Sequence, residues 1–269
     1  MANQSRGHLV IIGGAEDKED KCEILNRFFA LSGQRSAKLA VLSTASTDPQ
    51  AGEQYRRIFT EFGAEEVKVL AVQTRDEANH VSHKQIFADC SGIFFTGGDQ
   101  LRITGILGGS VLGAALQQAF RAGTIIAGTS AGAAVMSETM LVGGLDDATP
   151  KKEIIRMAPG LGLLKHAVVD QHFAQRGRIG RLLEVIGHNP YILGIGIDED
   201  TAIIVNDEGQ CEVEGSGTVT ILDGQNVSYS NVSESSQDQP LALTDVRLHI
   251  LSKGYGFNIR KRTIRMPRH

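Results

Sequence analysis

The feature that most constrains this fold is a repeated unit: a short apolar run, a glycine-led turn, then a stretch with helical spacing. Residues 8–12 (HLVII) run into Gly13-Gly14, residues 92–96 (GIFFT) into Gly97-Gly98, and residues 124–127 (TIIA) into Gly128-Thr129-Ser130. Residues 38–42 (KLAVL) and 67–72 complete a set of five predicted strands. Ile24, Leu25, Phe28 and Leu31 share one helical face and predict a helix over 20–31, with Gly33 as its stop. Asp48-Pro49 opens a second helix that Gly63 ends, and a third is predicted over 111–122. Apolar strands alternating with helices predict a parallel sheet covered on both faces. Ligands of such sheets bind beyond the carboxyl ends of the strands, which is where these glycine-rich turns fall.

Beyond Gly160 the pattern changes. Residues 167–169, 192–197, 201–205, 218–222 and 247–251 are short strand candidates joined by turn signals, and we expect them to add antiparallel strands to the same sheet. Residues 230–239 are polar and read as an exposed loop. No internal repeat is visible, and 269 residues fit one α/β domain over 1–269.

Composition excludes several classes. No apolar run approaches the roughly 20 residues of a membrane span. Residues 1–6 are polar and 9–12 are too few for a signal-peptide core, so no membrane partner and a cytoplasmic setting are expected. A net charge of −4 argues against bulk binding of nucleic acid. Arg260, Lys261, Arg262, Arg265 and Arg268 make the C-terminus basic, which reads as a solvated tail or as a docking strip for a polyanion or a second copy. Cys22, Cys90 and Cys211 lie far apart with no CxxC pair, so neither disulfides nor a zinc site is expected.

The strongest chemical signal is Gly128-Thr129-Ser130-Ala131-Gly132-Ala133, between a strand and a small-residue helical run over 133–137. Glycines two positions either side of Ser130 permit a tight strand-to-helix turn that lifts the hydroxyl above the sheet edge, and the Ala131 amide is free to face an oxyanion. A packing turn or a phosphate cradle is the competing reading. A serine nucleophile needs a base. Of eight histidines, His172 stands apart because it follows the strand at 167–169, whereas His8 starts a strand, His80 and His83 lie in a polar connector, His166 and His188 flank other elements, His249 lies in a late strand and His269 is terminal. An orienting acid is available in Asp198, Glu199 and Asp200, and position alone does not choose among them. Arg176, Arg178 and Arg181 open a helix carrying Ile179, Leu182, Leu183 and Val185; they are either its basic outer face or a clamp for a carboxylate.

Four segments occur together in order: Thr96-Gly97-Gly98-Asp99-Gln100, the serine turn, Asp170-Gln171-His172-Phe173 followed by Arg176-Gly177-Arg178, and Gly196-Ile197-Asp198-Glu199. Together they resemble the cyanophycinases, serine peptidases related to peptidase E, over nearly the whole chain. The D-Q-H-F run followed by R-G-R favours cyanophycinase over peptidase E. The resemblance implies a three-layer α/β/α sandwich, flavodoxin-like and class I glutamine-amidotransferase-like. It implies cleavage of cyanophycin, a poly-aspartate with arginine on each β-carboxylate, to β-aspartyl-arginine dipeptides. The nucleophile falls on Ser130, the base on His172 and the acid on Glu199, with the amides of Gly98 and Ala131 at the oxyanion. Gln100, Asp170, Gln171, Arg176, Arg178 and Arg181 match substrate-pocket positions. Asp170 would receive the substrate's guanidinium and the arginines its carboxylate. No metal or cofactor is implied, and related enzymes imply a homodimer. An α-aspartyl dipeptidase and a non-catalytic binder of arginyl or acidic peptides are the competing functions.

Overall fold

The computed structural model describes residues 7–144, 149–153 and 155–267. Residues 1–6, Arg268 and His269, on which sequence expectations were stated, lie outside the described residues.

The chain runs β1 (Leu9–Ile12), α1 (Glu23–Leu31), β2 (Lys38–Leu42), α2 (Gln50–Glu61), β3 (Glu66–Leu70), α3 (Arg75–Ala78), β4 (Gly92–Phe95), α4 (Gln100–Leu107), α5 (Val111–Ala122) and β5 (Ile125–Thr129). It continues through α6 (Ala131–Ala134), β6 (Thr139–Gly144), β7 (Ile155–Pro159), β8 (Ala167–Gln171), α7 (Ile179–His188) and β9 (Leu193–Ile197). The closing strands are β10 (Thr201–Val205), β11 (Gln210–Gly215), β12 (Val219–Asp223), β13 (Arg247–Leu251), β14 (Gly256–Asn258) and β15 (Thr263–Arg265).

A nine-stranded sheet in the order β15-β14-β11-β10-β1-β5-β4-β2-β3 forms the spine. Its half from β1 to β3 is parallel, and β10, β11, β14 and β15 extend it antiparallel. Alternation along β1 explains the layering: Val10 and Ile12 face one side, Leu9 and Ile11 the other. The first side packs on α1 and α2 through Ile24, Leu25, Phe28 and Phe59. The second packs on α4 and α5 through Ile103, Leu107, Leu112 and Leu116. This is the expected α/β/α sandwich.

One expectation is corrected. Of the later strands, residues 201–205 join the main sheet, but β8, β9, β12 and β13 form a second, four-stranded sheet in the order β13-β12-β9-β8. Within it β8 and β9 are parallel, joined by α7. Val169, Ile195, Ile197 and Val219 share the core on the α4–α5 side, while α7 covers the other face through Leu182, Val185 and Ile186. Burial on both faces is what drives this second layer. Among the described residues no single helix is long and apolar enough to cross a membrane.

Among the described residues, the basic segment over 260–265 is also not a loose tail. Arg262 pairs with Asp223 and bonds the Tyr191 carbonyl, Arg260 Nη2 donates to the Asp207 carbonyl at 2.6 Å, and Arg265 pairs with Glu212 at 3.1 Å. These partners fasten the β14–β15 hairpin to β11, to the turn before it and to the end of β12 in the second sheet.

Helix α1 starts three residues later than expected because Asp17 holds the preceding turn. Its carboxylate accepts from the backbone N–H of Glu19, Asp20, Lys21 and Cys22 at 2.8–3.0 Å. These bonds, that from Asp20 foremost, hold the carboxyl well below the usual carboxylate range. A depressed folded value means that the stabilisation is complete above the unfolded value of about 3.9 and is lost as pH falls below it. Asp17→Asn is expected to lower Tm at pH 7, with the gap from the native chain narrowing below about pH 4 in thermal melts.

Candidate active site

Strands β1, β5 and β4 are neighbours, with Ile12 opposite Thr129 and Phe95 opposite Gly128. The turns after them therefore meet at one point of the sheet edge. Ser130 lies in the middle, directly after β5, with φ 52° and ψ −110°. Such a conformation costs a non-glycine residue about 1–3 kcal/mol and persists only where neighbours enforce it. Here the Ser130 N–H donates to the Ile12 carbonyl at 3.1 Å, and its carbonyl accepts from Ala133 and Ala134 at 3.0 Å. The flanking glycines are required by space. A Cβ on Gly128 would stand 2.4 Å from the Gly132 carbonyl oxygen, and one on Gly132 would stand 2.6 Å from that of Phe95.

His172 comes from the second sheet, directly after β8. Its ring Nε2 is 3.0 Å from Ser130 Oγ, and Nδ1 is 2.6 Å from Glu199 Oε1. The ring is largely covered, while the Glu199 side chain is about a third exposed. Glu199 lies in the turn that joins β9 to β10 and so links the two sheets. Its neighbours are committed elsewhere. Asp198 accepts from the Ala174 and Thr218 amides and the Thr218 hydroxyl. Asp200 accepts from the Asp17 amide and the Ser216 hydroxyl. Glu199 alone of the three bonds the imidazole.

The Gly97-Gly98 turn abuts the serine: a Cβ on Gly97 would lie 3.5 Å from Ser130 Cβ. Gly98 is exposed, with φ 141°, and Ala131 is buried as the first residue of α6. Gln100 is partly buried, its Nε2 donating to the Leu141 carbonyl at 3.0 Å. Arg176 is exposed, four residues past His172.

The remaining predicted residues are brought together, but with one another. Asp170, Arg178 and Arg181 are 1%, 6% and 5% exposed. Arg181 grips Asp170 with both Nε, at 2.6 Å, and Nη2. Arg178 Nη1 donates to the Gln171 carbonyl and side-chain oxygens at 2.6 and 2.5 Å and reaches Asp170 at 3.4 Å. Arg178 and Arg181 are therefore not a solvated basic face of α7: both are buried and share the single carboxylate of Asp170. Among the described residues no group of three or more His, Cys, Asp and Glu side chains could hold a metal ion.

Residues 9–213 match the peptidase family S51. The chain belongs to that family. It is 42% identical to the cyanophycinase of Geminocystis herdmanii over 260 residues, 96% of each chain. It is also 42% identical to that of a Nostoc species over 258 residues, 95% of this chain and 87% of the relative. In fold it is similar to a peptidase from an acI-B1 actinobacterium, with a TM-score of 0.66 at 20% identity over 91% of this chain and 98% of the other. A putative peptidase E from Listeria monocytogenes EGD-e overlays with a TM-score of 0.54 at 16% identity, over 79% of this chain and the whole of the other.

This S51 member is thus a peptidase, and its cysteines are unsuited to nucleophilic work. All three are buried free thiols, and burial pushes Cys22 and Cys90 up and Cys211 to about 12. Three contributors to the site escaped the sequence reading. The Gly13 carbonyl accepts from the His172 N–H at 2.8 Å. Gly14 leaves room for the imidazole, since a Cβ there would sit 2.3 Å from Cε1. Gln175 Oε1 accepts from the Glu199 N–H at 3.0 Å. The paired glycines after β1 were the available signal for the first two.

Proposed function

We propose that this peptidase is a serine exopeptidase that degrades cyanophycin to β-aspartyl-arginine dipeptides through an acyl-enzyme on Ser130. The observation that carries the reading is the continuous hydrogen-bonded chain from Ser130 Oγ to His172 to Glu199, at 3.0 and 2.6 Å. Relatives named cyanophycinase at 42% identity over nearly the full chain support the substrate.

In this mechanism His172 Nε2 takes the hydroxyl proton as Oγ attacks a backbone carbonyl carbon of the polymer. Glu199, accepting from Nδ1–H, fixes the tautomer and stabilises the imidazolium. The amides of Gly98 and Ala131 stabilise the oxyanion. The tetrahedral intermediate collapses, the C–N bond breaks, and His172 hands its proton to the leaving amine. Water, deprotonated by the same imidazole, then cleaves the ester and restores the serine. Gln100 and the exposed Arg176 are the candidates for direct substrate contact, Arg176 pairing with a carboxylate of the polymer. Asp170, Gln171, Arg178 and Arg181 act from beneath, as a buried support for the strand that carries His172. The family resemblance carries over a homodimer, and three reduced buried cysteines suit a cytoplasmic setting.

Incubation of the purified protein with insoluble cyanophycin is expected to clear the polymer and release β-aspartyl-arginine, identified by mass spectrometry. An intact polymer beside rapid cleavage of Asp-X dipeptides would move the assignment to an aspartyl dipeptidase. Inertness toward both, with specific peptide binding, would make it a binder.

A further inference from the structure

A buried carboxylate that the proposed mechanism does not use lies directly beneath the serine turn. Glu16, 3% exposed, follows the Gly13-Gly14 turn after β1. Its Oε2 accepts from the Thr129 hydroxyl at 2.5 Å, and Thr129 is the residue preceding Ser130. Its Oε1 accepts from the Tyr55 hydroxyl at 2.5 Å and pairs with Lys18 Nζ at 3.0 Å. Burial next to this carboxylate pushes the Tyr55 phenol well up, which keeps its proton available to donate.

The short segment that ends in Glu16 touches each part of the site. Ile12 O accepts from Ser130 N, Gly13 O accepts from His172 N, and Gly14 O accepts from Asp200 N at 2.9 Å, next to Glu199. Gly14 also packs under the imidazole. One end of this segment is fixed within β1; the other is fixed by the two oxygens of Glu16, one of them on the serine turn itself. These hydrogen bonds are buried, and losing one leaves a desolvated group without a partner. We infer that Glu16, through Thr129, is a positioning residue that sets the approach of Ser130 to His172. The inference rests on Ser130 being the nucleophile.

The test compares kcat, KM and the rate of fluorophosphonate labelling for Glu16→Gln, Thr129→Val, Thr129→Ser and Ser130→Ala, each per folded molecule with Tm recorded. A misplacement of about 1 Å at a reacting centre costs on the order of a hundredfold. Glu16→Gln and Thr129→Val are expected to lower kcat and labelling by about that factor with KM within about threefold. The double variant should be no slower than the slower single one, because both act through one contact. Thr129→Ser, which restores the hydroxyl, should recover most of the rate. Should Glu16→Gln fail to fold, Thr129→Val, which keeps the carboxylate, carries the test. Native-like kcat in Thr129→Val, or equal slowing in Thr129→Val and Thr129→Ser, would overturn the inference while an inactive Ser130→Ala left the serine mechanism standing. An active Ser130→Ala would remove both.

Discussion

Ser130→Ala is expected to lower kcat on cyanophycin by at least about a thousandfold, equivalent to about 4 kcal/mol of transition-state stabilisation, with Tm within about 2 °C of the native chain. The separation of the two effects follows from the structure. The Ser130 side chain makes its hydrogen bond to His172, while the backbone bonds that hold the strained turn run to Ile12, Ala133 and Ala134 and survive the substitution. Alanine occupies the same φ at a similar cost, so the turn is not relaxed by the change. Fluorophosphonate labelling should vanish together with turnover. Retention of more than about a tenth of the native rate in the purified variant would exclude an acyl-enzyme on this residue.

Asp170→Ala is expected to reduce stability by about 3–5 kcal/mol, read from denaturant unfolding, because it removes a carboxylate shared by two buried guanidiniums. Ordinary surface ion pairs contribute a fraction of that. The result also separates two roles for the cluster. If Asp170 also met substrate directly, its replacement would raise KM of the molecules that remain folded. As a support for the end of β8 it should instead lower Tm and carry the loss of activity with it. Asp170→Asn, which keeps the shape but not the charge, should fall between the native chain and the alanine variant in stability.

The serine turn was legible because everything that makes it is local: an apolar strand, two glycines at fixed offsets, and small residues after it. His172 could be singled out for a similar reason, since it follows a strand. The choice of Glu199 could not be read from position and rested on the family resemblance. It depends on which amides claim Asp198 and Asp200, and those donors come from Ala174, Thr218, Asp17 and the Ser216 side chain, remote in sequence. The division of the later strands between two sheets was hidden as well. Strands β8, β9 and β12 are buried at every position, so no polar alternation marks which neighbour each will take. Helix α4 was missed because it is short, its apolar residues Ile103, Ile106 and Leu107 lying between the glycine pairs at 97–98 and 108–109. The burial of Arg178 and Arg181 was hidden for another reason. A count of charges near a candidate base carries no information on whether a strand carboxylate such as Asp170 already pairs with them.

The hydroxyl hangs from the larger sheet and the imidazole from the smaller, and two tight links strap the sheets together at this point: the turn holding Glu199 and the 216–218 link from β11 to β12, which bonds Asp198 and Asp200. The gap between Ser130 and His172 is therefore a seam between two layers rather than a property of either loop. Its width is governed by how the layers seat on their common core, so a cavity carved at that junction, far from any reacting atom, would detune the enzyme as surely as a change at the seam itself.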